Sequence, residues 1–252
     1  MGVFEYPLLA LAAFAAGTIN AVAGGGSLVS FPALVAAGYS SKVANVTNTV
    51  ALWPGYVGGS IGYAAQLSDQ RRRILILTVP SILGAVAGSA ILLTTSEASF
   101  DRIVPFLILF AAGLMAAQPR LSTWVTQHRP EGADGKTPLE LIAAVFVLAI
   151  YGAYFGAGLG IITLAVLGIL LPDDLHRSNA LKGLLSAIMN AAAVVYFAIW
   201  GPVEWLPAAV MAVAALAGGY LGVGVARNIS ASRLRAGVIA YAIVVAVVLF
   251  VR

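Results

Sequence analysis

Charge in this 252-residue chain is confined to short clusters. Between them, uncharged stretches run 6–41, 43–66, 74–96, 103–119, 141–172, 183–203, 205–226 and 236–251. A helix that crosses a bilayer needs about 20 mostly apolar residues. Several stretches fit one such helix each. Two, 6–41 and 141–172, are too long for one and are interrupted by glycines. An outer-membrane barrel would show alternating segments of about ten residues, and these runs do not alternate. Helices satisfy their own backbone groups in lipid. The expected fold is therefore all-α, a polytopic integral membrane protein.

Composition closes off the alternatives. Hydrophobic residues make up 61% of the chain and charged residues 10%, against roughly 25% charged in an average soluble domain. Too little polarity is available to cover a soluble surface. That excludes an ordinary cytoplasmic enzyme, a disordered chain and a nucleic-acid binder. The net charge is only +4, and in a membrane protein such an excess marks loop orientation. Cysteine is absent, so disulfides, thiolate catalysis and cysteine metal sites are excluded. Residues 1–6 carry Glu5 and no basic residue, which does not match the basic start of a secretory signal.

The chain repeats itself. At an offset of 134, Gly24 and Gly26 fall on Gly158 and Gly160, and Asn45 falls on Asn179. Gly84 and Gly88 fall on Gly218 and Gly222, so one GxxxG spacing recurs. The expected division is a first transmembrane repeat over 1–119, a cytoplasmic linker over 120–137 and a second repeat over 138–252. Each half reads as two segments flanking a glycine break, then three long helices. In the first half these are 5–22 and 27–37, then 43–63, 74–95 and 102–118. In the second they are 138–157 and 160–171, then 179–199, 205–226 and 234–251. The short segment after each break suits a half-helix or re-entrant piece.

Basic residues decide the relative orientation of the repeats. If each broken pair counts as one crossing, the basic residues divide evenly between the two sides. If each pair returns to its starting side, Arg71, Arg72, Arg73, Arg120, Arg129, Lys136, Arg177, Lys182, Arg227, Arg233 and Arg235 share one side. Only Lys42, Arg102 and Arg252 then lie on the other. This bias favours two inverted repeats, each a glycine-broken hairpin plus three spanning helices, with both termini outside. The two glycine tips would enter from opposite faces and meet near the midplane.

Candidate site residues cluster at the breaks. Gly24, Gly25 and Gly26 let the backbone turn tightly and approach a ligand closely. Ser27 can cap the half-helix that follows, whose N–H groups and positive dipole end would face an anion. Gly158 and Gly160 form the counterpart. Close helix packing explains a lone glycine cluster, but two clusters at equivalent positions favour the ligand. Asn45, Thr47 and Asn48 open the next helix, and Asn179 and Lys182 open its counterpart. Their side chains can donate to a substrate oxygen or bond across helices. A central lysine costs roughly 2.5–3.5 kcal/mol to insert. Two readings of Lys182 stay open, a counter-ion to an anionic substrate or snorkelling toward Arg177. Asn20, Asn190, Trp53 and Tyr154 are placed to line the same cavity, and Pro54 to kink its helix.

Absences narrow the chemistry. No Asp or Glu sits inside an expected span, which leaves no support for a carboxylate proton relay. The histidines, His128 and His176, are expected in loops. No HExxH or Walker A motif occurs, so neither an enzyme, a metal site nor a cofactor is expected.

The segments INAVAGGGSLVSFPAL (19–34), ANVTNTVALWPG (44–55), YGAYFGAGLGIITLAVLGILL (151–171) and SNALKGLLSAIMNAAA (178–193) resemble the sulfite exporter TauE/SafE family. The likeness extends over about 9–250. The resemblance implies a secondary transporter of small anions such as sulfite, thiosulfate or sulfoacetate-like organosulfonates, in a bacterial inner membrane. The second break here reads GAGLG instead of three successive glycines, so the two tips need not contribute equally. The expected function is an anion permease working by alternating access at a midplane site. The alternatives are a passive anion channel and a non-transporting membrane subunit. The expected partners are a small anionic substrate and the lipid bilayer, not nucleic acid, and a homo-oligomer stays open.

Overall fold

The structure, a computed structural model, describes residues 5–22, 24–61, 64–127, 137–173, 175–226 and 231–251. Within them the chain is helical and contains no strand. The helices are α1 (Glu5–Val22), α2 (Ser27–Ala36), α3 (Ser41–Ile61), α4 (Ala64–Leu67), α5 (Arg71–Thr94), α6 (Glu97–Gln127), α7 (Leu139–Tyr154), α8 (Leu159–Leu170), α9 (Leu175–Trp200), α10 (Trp205–Ala226) and α11 (Ala231–Val251). His128, Arg129, Lys136, Arg227 and Arg252 lie outside the described residues, as do the surroundings of Gly222. Helix α6 runs beyond the expected 102–118 at both ends, because neither Arg102 nor Pro119 interrupts it.

Among the described residues, four helices are long and apolar enough to cross a membrane: Ser68–Thr94, counting the 3-10 turn before α5, Glu97–Gln127, His176–Trp200 and Ser232–Val251. Helix α5 shows why they suit lipid. The middle of its buried face is made of small and polar residues, Ser81, Gly84, Ala85, Gly88 and Ser89, flanked by Leu77, Pro80 and Leu92. Its exposed face carries Leu75, Val79, Leu83 and Ile91. A soluble helix would be reversed. Small residues inside let backbones approach closely, which is how helices associate where lipid removes the hydrophobic drive. Helix α3 is more polar because Asn45, Thr47, Asn48 and Thr49 are buried between neighbours.

The halves are interlocked. Helix α1 packs on α10 and α7 packs on α5, so each half supplies the partner for the other's first helix. Helix α3 meets α9, and α6 meets α11. Three of the glycines expected to mark packing surfaces, Gly84, Gly88 and Gly218, do so. A Cβ at Gly84 or Gly88 would collide with the carbonyl of Phe146 or Ile150, and one at Gly218 with that of Phe14.

Helices α3 and α9 run antiparallel. Thr47 meets Glu204, Trp53 meets Ala187, and Gln70, just beyond α3, meets Arg177. The polar ends therefore sort into two faces. One holds Arg73 paired with Asp173, and Arg177 paired with Asp69 at 3.3 Å and with Asp173 at 3.5 Å. The other holds Lys42, whose ammonium donates to the Thr95 carbonyl and whose N–H donates to Glu97 at 3.3 Å.

Candidate functional site

The two glycine breaks are built alike. In each, an N–H reaches back five residues to close the preceding helix, Gly24 to the Ile19 carbonyl at 3.0 Å and Gly156 to that of Tyr151 at 3.1 Å. Both glycines are left-handed, at φ 74° and 75°, a conformation that side-chain-bearing residues avoid. Gly26 and Gly158 then stand at the N-caps of α2 and α8. These pairs are 132 residues apart, not 134. The extra two residues lie within α8, which has 12 residues where α2 has 10. From α3 and α9 onward the offset is 134 again.

Ser27 does not cap α2. It is the first helical residue, the N-cap is Gly26, and no side-chain cap bond forms. Asn20 supplies the local bond instead, its Oδ1 accepting from the Gly26 N–H at 2.7 Å. A Cβ at Gly26 would strike the Ala16 carbonyl, so glycine is needed there for α1 and α2 to pack.

The breaks converge on one cavity of about 420 Å³. Gly24, Gly25 and Ser27 line it from the first break, and Gly156, Leu159 and Gly160 from the second. Gly24 stands against α8, since a Cβ there would lie 3.9 Å from Ile161 Cγ1. Helix α9 contributes Asn179, Lys182 and Ser186. Helix α3 contributes Leu52, Gly55, Tyr56 and Gly58. The α3 lining lies toward its C-terminal end and the α9 lining toward its N-terminal end. The cavity thus extends from the Trp53–Ala187 crossing toward the Arg73–Asp173 face. Its margin includes Tyr220, which is 84% exposed.

Among the described residues, Lys182 is the one cation that lines the cavity. Its ammonium donates to Asn179 Oδ1 at 2.7 Å. Among the described residues it has no carboxylate partner. Its stem passes α8's first turn, where a Cβ on Gly160 would lie 3.7 Å from Lys182 Cδ. A helix N-terminus carries partial positive charge. Lysine and helix end therefore reinforce one another, and an anion between them would be favoured by both.

Of the residues singled out from sequence, Asn20, Gly24, Gly25, Ser27, Gly160, Asn179 and Lys182 line this cavity. Gly26 and Gly158 stand behind it as N-caps. Asn45 is buried and donates to the Tyr154 carbonyl at 2.9 Å. Thr47 accepts from the Glu204 N–H at 3.1 Å. Asn190 donates to the Ser186 carbonyl, one turn back, at 2.8 Å. Asn48 is buried with Oδ1 unpartnered, away from the cavity lining. Trp53 donates to Ala187, and the Tyr154 ring packs edge-on against Phe100, so neither lines the cavity. Sequence reasoning missed Tyr56, which lines the same cavity as Asn20. Its position two residues past Pro54 was the available signal, but an aromatic there reads equally as packing.

Lipid-facing helices around a cavity fed by two broken helices define an integral membrane transporter. The sequence pattern of the "Sulfite exporter TauE/SafE" family matches residues 9–249, and the chain belongs to that family. It is similar to the "Probable membrane transporter protein YfcA" of Escherichia coli (strain K12), at 28% identity over 85% of this chain and 78% of that protein. A "Probable membrane transporter protein" of Haemophilus influenzae is 26% identical over 88% of this chain and 85% of its own. The "Probable membrane transporter protein ORF9" of Sinorhizobium sp is 27% identical over 85% and 80%. No solved structure matches.

Proposed function

We propose that this protein is a secondary carrier of small anions, with sulfur oxyanions and organosulfonates as its substrate class. The single observation that carries the anion reading is Lys182, without a carboxylate partner and beside the first turn of α8, in a cavity that both breaks enter. A trigonal or tetrahedral oxyanion accepts several hydrogen bonds at once. Lys182, Asn179 and the backbone of the two tips supply donors, and the lysine supplies the compensating charge. The family name supports the sulfur assignment.

The carrier works by alternating access, and its two halves, 1–119 and 138–252, are inverted repeats joined by a cytoplasmic linker over 120–137. The antiparallel course of α3 and α9 supports inversion, since parallel repeats would run these counterparts in the same direction. The Arg73 face is cytoplasmic by its excess of basic residues, and both termini lie outside. The membrane is a bacterial inner membrane. In this arrangement the cavity extends toward the cytoplasmic face. The protein acts as a permease and performs no chemical step on its substrate.

The test is exchange in proteoliposomes loaded with sulfite, thiosulfate, taurine or sulfoacetate, with lactate and chloride as controls. Saturable, trans-stimulated exchange of a sulfur oxyanion is the expected result. Exchange of carboxylates alone would remove the sulfur assignment, and flux without stimulated exchange would replace the carrier by a channel.

A further inference from the structure

A second, smaller cavity of about 200 Å³ lies between the C-terminal part of α6, the first turns of α8 and the start of α11. Its walls are apolar at Leu121, Val125, Ile161 and Leu164, and one end carries Arg235. The Arg235 Nε is buried with no hydrogen-bond partner. Among the described residues the guanidinium has no ion pair either. Arg235 as a whole is half-buried, so its charge sits at the mouth of an apolar cavity with no carboxylate among the described residues to neutralise it.

The internal repeat sharpens the point. At the offset of 134, the start of α11 corresponds to the start of α6, and Arg235 to Asp101. Asp101 is exposed at the opposite face. An arginine is therefore not something that the packing of this helix end demands. The outer member of the pair is acidic and the inner member basic, the polarity expected where the inner member meets the anionic leaflet.

We propose that this cavity is a binding site for an anionic phospholipid of the cytoplasmic leaflet. The phosphodiester engages the planar guanidinium fork of Arg235, and Ser122 stands near to donate a further hydrogen bond. The start of an acyl chain lies along Leu121, Val125 and Leu164. The volume admits a phosphate and the first methylenes, not a whole lipid, so the rest of the molecule remains in the bilayer. The site is distinct from the Lys182 cavity, with which it shares no lining residue. It depends on the proposed orientation only for the leaflet that supplies the lipid.

The test is native mass spectrometry of the purified protein, titrated with phosphatidylglycerol and separately with phosphatidylcholine. The wild type is expected to retain phosphatidylglycerol about fivefold or more over phosphatidylcholine, the ratio that one interfacial arginine supplies. Arg235→Gln should abolish that preference, while Arg71→Gln, at an exposed arginine of the same face, should leave it intact. If Arg235→Gln does not fold, Leu164→Trp fills the cavity from its apolar side and should displace the lipid equally. Equal retention of both lipids by the wild type overturns the proposal. So does a preference that survives Arg235→Gln or Leu164→Trp. Inorganic phosphate that displaces phosphatidylglycerol at millimolar concentration would assign the site to free phosphate and overturn the lipid.

Discussion

Trp53 donates its indole N–H to the backbone carbonyl of Ala187 at 3.2 Å, 134 residues further along the chain. That separation is the repeat offset, so the bond joins a residue to its own counterpart. Two equivalent positions can touch only where a local two-fold axis passes between them. If the halves are inverted repeats, as proposed, their axis runs through the α3–α9 crossing, beside the cavity. Trp53→Phe keeps the ring and deletes the donor. It should lower unfolding stability in detergent by about 1 kcal/mol and leave substrate affinity within about twofold. A larger loss of affinity would mean that Trp53 faces the substrate after all.

Glycine at 88 is set by backbone contact. A Cβ there would enter the space of the Ile150 carbonyl, whereas nothing lies within 4 Å of one at Gly113. Both glycines sit inside helices. Gly88→Ala should destabilise by about 1–3 kcal/mol through overpacking of α5 against α7. Gly113→Ala should be neutral or stabilising by up to about 1 kcal/mol, from helix propensity alone. Thermal unfolding of the two variants side by side reads the difference. Equal effects would show that α5 and α7 do not pack as described.

Lys182→Met removes charge while keeping length. If Lys182 holds the anion, the variant should bind substrate about ten- to hundredfold more weakly, the range of one lost charge-assisted bond. Its stability should not fall, because an uncompensated cation leaves the apolar interior. Substrate-dependent thermal shifts measure both effects on one sample. Unchanged affinity in a folded variant would take Lys182 out of the site.

Helix positions were readable because charge and glycine are the punctuation of a membrane chain. The boundaries of α1, α3 and α10 fall within two residues of those expected from the uncharged runs. The register of the second break was not readable. GGG and GAGLG both align at 134, yet the chain reversals at Gly24 and Gly156 are 132 apart. Nothing in the composition of α8 reveals its two additional residues. Side-chain direction was equally hidden. Asn45 and Asn179 match in sequence, but Asn45 bonds the Tyr154 carbonyl while Asn179 faces the cavity. The cavity takes the C-terminal half of α3 but the N-terminal half of α9, and hydropathy does not encode that.

Inversion of the repeats predicts which loops share a side. Ala98 and Glu204 are exposed, and both belong to the face that holds Lys42, through Glu97 in one case and Thr47 in the other. Ser68 and His176 are exposed at the face of Arg73 and Asp173. The chain lacks cysteine, so single cysteines at these four positions report without background. In inverted repeats, cysteines at 98 and 204 label from outside intact cells. Those at 68 and 176 label only after the membrane is opened. Parallel repeats with each broken pair counted as one crossing separate 98 from 204, because an odd number of crossings then lies between them. Labelling of 98 and 204 from opposite sides would therefore reject inversion. Common labelling of both from inside would preserve inversion and reverse the orientation, placing the Arg-rich face, and with it the mouth of the Lys182 cavity, outside.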